Sequence, residues 1–275
     1  MKPSLYITAS VIITLTLLIT VLLGPSTTPF DVSNPYWNGY STASTLCHVK
    51  PIYGLNQVGN VDILIVIPTM KPTASIIRAL ANYAAGGGTL LILSNGAMYG
   101  NDVLQLMGIN ASITSGVITD PVFNIINEYF PLARTPSGLV LALDNASALI
   151  IGSTPVSVIA ETNAFSRVGN STGPFIVAAE FGYGGGKVIV ITTPSIFMNS
   201  MIKLGDNEEF LKQLCGNHTV GLLEPLLGGE PLSSFRVLLM DSWLEVSHYP
   251  INYVIAALPV LLLIIMLLIR TIGRA

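Results

Sequence analysis

Hydrophobic residues fall into three registers along this chain. Near its ends lie two uncharged apolar stretches, Leu5–Leu23 (LYITASVIITLTLLITVLL) and Ile251–Ile269 (INYVIAALPVLLLIIMLLI), each 19 residues long. As helices rising ~1.5 Å per residue, each matches a hydrocarbon core of about 30 Å, so both are expected to span a membrane. Between them run short continuous apolar segments rich in β-branched residues. Val61–Pro68 (VDILIVIP), Thr89–Leu93 (TLLIL) and Lys187–Thr192 (KVIVIT) read as strands buried on both faces. The third register is helical: Ile76, Ile77, Leu80 and Tyr83 within Pro72–Ala85, and Phe210, Leu211 and Leu214 within Asn207–Leu214.

The order of these segments predicts an architecture. Strand 61–68, helix 72–85, the stop Gly86-Gly87-Gly88 and strand 89–93 make a βαβ crossover, whose strands are parallel. A short helix is expected over Asp102–Met107, a strand at Val117–Thr119 and a helix over Val122–Phe130. Strands are expected at Leu139–Leu143, Ala148–Ile151 and Ser157–Ala160. Phe175–Glu180 and Lys187–Thr192, joined by Gly182–Gly186, read as an antiparallel hairpin, and Phe235–Met240 (FRVLLM) as a last strand. The fold class is therefore α/β: a three-layer domain on a mostly parallel sheet with a late hairpin, flanked by two transmembrane helices. Residues 24–38, rich in Pro, Ser, Thr and Asn, read as a tether, 39–215 as the α/β domain and 216–249 as an extension.

Charge adds a topology. Lys2 precedes the first apolar run and Arg270 and Arg274 follow the second, whereas all 15 acidic residues lie between them. Positive flanks stay on the cytoplasmic side, so the expectation is a two-pass cell-membrane protein with its middle outside. The first run reads as a retained anchor, a cleaved signal peptide being the alternative. The middle is mildly acidic, which argues against nucleic acid. Sequons at Asn110, Asn145, Asn170 and Asn217 would suit an exported domain. The two cysteines, Cys47 and Cys215, could form a disulfide or remain separate buried thiols.

Chemistry is sparse. There is no GxxxxGK[ST], HExxH, EF-hand loop or CxxC, so no metal, nucleotide or other cofactor is expected. Both glycine runs sit in the wrong context for a phosphate loop, one closing a helix and the other joining two strands. His48, His218 and His248 lie far from the strand ends in sequence.

Five segments then carry a resemblance: NPYWNGYSTAS from Asn34, VDILIVIPT, AAGGGTLLILSNG, EFGYGGGKVIVITTPSIFMNS and NEEFLKQL. Over roughly residues 34–215 the chain resembles membrane-anchored domains of unknown function built on the class I glutamine-amidotransferase-like fold. It is similar to the auxiliary domains of gliding-type ABC transporters and to a non-catalytic oligosaccharyltransferase subunit. The enzymes of that fold carry a cysteine nucleophile after a central strand and a histidine on a later loop. Here those places hold Ser94-Asn95-Gly96 and the loop from Thr193 to Asn199. The resemblance thus implies a non-catalytic accessory subunit of a membrane complex, with a binding crevice formed by Ser94, Asn95, Gly96, Thr193, Ser195, Phe197 and Asn199. Two alternatives stand beside it: a degenerate serine hydrolase or transferase centred on Ser94, and a sugar- or peptide-binding sensor. The expected partners are the lipid bilayer and other membrane proteins.

Overall fold

The structure, a computed structural model, describes residues 3–153, 155–229 and 231–247. Helix α1 (Pro3–Leu23) leads into α2 (Ser41–Cys47), β1 (Lys50–Ile52), a 3-10 turn (Leu55–Asn60), β2 (Ile63–Val66), α3 (Ala74–Ala85), β3 (Thr89–Leu93) and α4 (Gly100–Leu106). A run of strands follows: β4 (Ala111–Val117), β5 (Leu132–Arg134), β6 (Val140–Ala142), β7 (Ser147–Ile151), β8 (Val156–Glu161), β9 (Arg167–Val168) and β10 (Ser171–Thr172). The hairpin is β11 (Ile176–Tyr183) and β12 (Gly186–Ile191). Helix α5 (Asn207–Cys215), β13 (Val220–Leu223) and α6 (Pro231–Ser247) complete the described chain.

The main sheet has 9 strands in the order β1-β13-β2-β3-β12-β11-β8-β5-β6. Pairing is parallel from β1 through β13, β2 and β3 to β12, and antiparallel from β12 onward. Alternate side chains of the central strands enter two cores. Leu64, Val66, Leu90 and Ile92 pack with α3 and α4 on one face. Ile63, Ile65, Leu91 and Ile191 pack with α2 and α5 on the other. That double burial is why these strands read as unbroken apolar runs. The expected mixed α/β sheet is present, including the β2–α3–β3 crossover and the β11–β12 hairpin.

The two glycine runs have one structural purpose between them. Thr73 caps α3 by accepting from the Ile76 amide at 3.4 Å, and Gly87, at φ 110°, follows the helix in a conformation that other residues rarely adopt. The hairpin turn then packs directly on this stop. Gly185 donates its amide to the Ala85 carbonyl at 2.8 Å, and a Cβ on Gly186 would lie 2.3 Å from the Gly88 carbonyl oxygen. Backbone meets backbone here, so no side chain fits.

Several expectations are corrected. Residues 24–38 are no tether: Ser26, Thr28, Phe30, Asp31, Val32 and Asn34 are buried, and the Phe30 ring meets Tyr40 edge-on at 5.7 Å. Val122–Phe130 is not helical, because the Asp120 carboxylate takes the amides of Val122 and Phe123 and folds the segment into a compact loop. Phe235–Met240 lies within α6, so its apolar run is helical; an apolar stretch this short has no distinguishing period of its own.

The membrane placement is also corrected. Among the described residues no helix is long and apolar enough to cross a membrane. Helix α1 packs against α6, which carries Arg236 and Asp241, and the Arg236 guanidinium donates to the Val21 carbonyl at 2.8 Å and to that of Gly24. The two-pass arrangement with cytoplasmic tails is therefore contradicted, and the flanking pair of transmembrane helices is unsupported. The second apolar run, 251–269, lies outside the described residues.

Candidate functional site

The ends of β3 and β12, where a crevice was expected, lie side by side and closed. Ser94 is fully buried; its amide donates to the Ile191 carbonyl at 3.0 Å and its hydroxyl to the Asn95 carbonyl at 3.3 Å. The turn before β7 seals it. Thr193 and Ser195 both donate hydroxyls to the Asp144 carbonyl, at 2.8 and 2.9 Å, while the Gly96 amide donates to the Ser147 hydroxyl at 3.0 Å. Asn95 caps its own turn by accepting from the Ala97 amide at 3.1 Å.

Phe197 faces the core, tilted against Phe210 with 6.1 Å between centroids. Asn199 stitches the loop to the N-terminal segment, donating to the carbonyls of Asn34 and Tyr36 and accepting from the Thr42 amide. The turn at residues 144–147 thus takes up polar groups of Gly96, Thr193 and Ser195, while Phe197 turns into the core and Asn199 toward the N-terminal segment, so the seven residues do not line one open crevice. Among the described residues no histidine joins them: His48 is exposed at the end of α2, and His218 faces Asp62 at 3.9 Å.

The cysteines meet. Cys47 on α2 and Cys215 on α5 form a disulfide with Cα atoms 6.1 Å apart. The sequon residues Asn110, Asn145, Asn170 and Asn217 are all exposed.

Two features were missed by sequence reasoning. The first sits at the other carboxyl ends of the parallel sheet, where β1 runs into Tyr53, β2 toward Met70 and β13 into Glu224. These residues, with Asp31 and Arg236, line a cavity of about 210 Å³. Glu224 is buried and its Oε1 has no hydrogen-bond partner. Burial, reinforced by the Asp31 charge and opposed by Arg236, pushes its carboxyl well above the usual range. Tyr53 is pushed up to about 12 by burial and the same acidic neighbours. A glutamate at the end of a four-residue run, VGLL, gave no pattern to read.

The second feature is a surface. Asp120 is fully buried and its carboxylate accepts from the amides of Val122 (2.8 Å) and Phe123 (2.7 Å), Asn163 Nδ2 (2.7 Å) and the Ser166 hydroxyl (2.8 Å). Burial alone would raise this group, but those four donors together hold it below the ordinary carboxylate range. The loop it organises presents apolar side chains outward: Val122, Phe123, Ile125, Ile126 (60 % exposed) and Tyr129. Phe165, 55 % exposed, leans on Phe123 at 5.8 Å. Beside them opens a cavity of about 560 Å³, floored by Leu132, Val140, Val158 and Ala160 and edged by Arg134 and Glu161.

Fold and surface together define a mixed α/β domain with closed strand ends and an apolar outer face. The family profile of DUF4350, a domain of unknown function, matches residues 33–215, and the chain belongs to that family. A comparison with curated protein sequences finds no match. Among solved structures, the mmIFT52 N-terminal domain is similar at 14% identity and a TM-score of 0.49, over 64% of this chain and 82% of that one. The cytoplasmic protein STM1381 from Salmonella typhimurium LT2 shares 15% identity at a TM-score of 0.41, over 64% and 78%. The β-galactosidase from Bacillus circulans sp. alkalophilus shares 12% at 0.38, over 57% of this chain and 22% of its own.

Proposed function

We propose that this domain is a non-catalytic accessory module that binds another protein through the face formed by Phe123, Ile126, Tyr129 and Phe165. The single observation that carries the reading is this exposed apolar face, held in place by a fully buried carboxylate and opening on the 560 Å³ cavity. Scattered apolar residues on a surface need no explanation, but contiguous ones beside a cavity mark interaction sites. Fixing a loop of large apolar groups in one shape also lowers the entropy lost on docking.

The closed strand ends support the same reading. A serine nucleophile needs a base within about 3 Å, and the Ser94 hydroxyl is turned to a backbone carbonyl instead. The β2–α3–β3 crossover leading into Ser94, and the hydroxyl-lined loop after β12, support the finer description of the fold as amidotransferase-like with its chemistry replaced. The test is association: Ile126→Asp and Phe165→Asp should each abolish co-purification of the native partner while leaving the melting temperature within a few degrees. The same partner retained at full yield by both variants would overturn the reading.

A further inference from the structure

The sheet has a break in it. Strand β8 pairs with β11 from Val156 to Glu161, but on its other side it meets β5 at one position only, Arg134 opposite Glu161. From Val156 to Ala160 no backbone group of β8 is bonded outside the β11 ladder among the described residues. In an antiparallel ladder alternate residues turn both N–H and C=O away from the partner, so this edge carries free donors and acceptors.

Open space lies along that edge. The 560 Å³ cavity and a second of about 310 Å³ meet at Thr135, Pro136 and Val158, one extending toward Phe123 and the other toward Phe210 and Leu214 of α5. They form a continuous groove with β8 as one wall and the turn after β5 as the other. Exposed edges are ordinarily blunted by lysine, proline or covering side chains. At the sheet's end, β6 is covered in that way: Asp206 and Asn207 accept from the amides of Val140 and Ala142 at 2.7 and 3.0 Å. Strand β1 carries Pro51. Strand β8, Val-Ser-Val-Ile-Ala-Glu, has neither device.

We propose that the groove beside β8 receives an extended segment of the protein partner, which adds to the sheet as a strand between β8 and the β5–β6 hairpin. Main-chain bonds to Val156–Ala160 supply affinity, and apolar side chains of the segment enter the two cavities, whose linings include Val140, Val158, Ala160 and Leu214. The inference rests on the partner-binding reading and names the form of the bound segment.

The experiment selects binders to the full chain from a displayed library of random peptides about 12 residues long. The expected peptides alternate apolar and polar residues, and the best of them slows amide exchange across Val156–Ala160. N-methylation of one alternate set of its amides should cost at least tenfold in affinity, and of the other set little. Pro136 is exposed where the cavities meet, so Pro136→Trp should fill the groove and weaken binding by a similar factor with the melting temperature unchanged. Tolerance of N-methylation at every position would overturn strand addition without reference to any variant's folding. So would a selected peptide that protects only Val122–Tyr129, or no enrichment at all. In those cases loss of the native partner by Phe165→Asp would leave the docking face standing, and its retention would remove both.

Discussion

The Ser166 hydroxyl donates to Asp120 Oδ2 at 2.8 Å across a separation of 46 residues, and both groups are fully buried. Through this contact the β8–β9 connection carrying Phe165 and the loop carrying Phe123 become one surface. The carboxylate is the common acceptor, and the aromatic contact outside it depends on the polar contact beneath.

Replacing Asp120 by Ala should therefore destabilise the protein by about 2 kcal/mol, because four donors, that of Ser166 buried and the others part-buried, lose their common acceptor. Chemical denaturation gives the number, and faster amide exchange over Val122–Tyr129 the location. The carboxylate is held below its ordinary range, so its stabilisation is fully present above about pH 4 and is lost as the pH falls through the lowered value. Asp120→Asn should flatten stability against pH in that acid window.

Glu224 predicts the opposite slope. Its carboxyl is raised, so the folded protein holds a proton that the unfolded chain releases above about pH 4.3. Stability contributed by this group is present below that pH and declines as the pH rises toward the folded value. Glu224→Gln, neutral throughout, should match the wild type in acid and exceed it at pH 8. A pH series of denaturation midpoints checks the crossing.

The Cys47–Cys215 bridge joins positions 168 apart in the chain. Closing so long a loop restricts the unfolded state, so the double replacement by Ala should cost about 2–5 kcal/mol. Denaturation with and without reductant should reproduce the same gap in the wild type and none in the variant.

At the closed strand ends, Ser94→Ala should leave partner association intact and change stability by less than about 1 kcal/mol, since only a 3.3 Å bond to a neighbouring carbonyl is lost. Gly96→Ala should behave differently. Its Cβ would lie 2.1 Å from the Thr114 carbonyl oxygen, backbone against backbone, at a cost of about 2 kcal/mol. A charge at Phe197 should unfold the protein outright, because that ring is core and not crevice lining. Melting temperatures of the three variants rank them.

What could be read from the sequence divides along physical lines. Thr89–Leu93 is buried on both faces and bounded by a glycine stop, so composition and punctuation agree, and its strand and crossover were legible. So were both glycine turns, whose positions between apolar runs fix their meaning. Where one buried polar group overrides local pattern, the reading failed. Val122–Phe130 has helical spacing, yet Asp120 captures the first amides and the apolar residues turn outward. Phe235–Met240 looked like a strand only because its window was short. The neighbouring ends of the two central strands were legible, but nothing local reveals that the Asp144 carbonyl takes up the hydroxyls of Thr193 and Ser195. Tertiary closure of that kind depends on segments about 50 residues apart meeting, which spacing alone does not encode.

The central claim is that a partner docks on the face around Phe123, Ile126 and Phe165. A photo-crosslinking side chain at position 126, and as a control at the exposed position 203 on the chain before α5, tests it in the cells that make the protein. The account predicts one discrete protein adduct from position 126, none from 203, and loss of that adduct when Phe165→Asp is added. Equal adducts from both positions, or an adduct at 126 unaffected by Phe165→Asp, would contradict it.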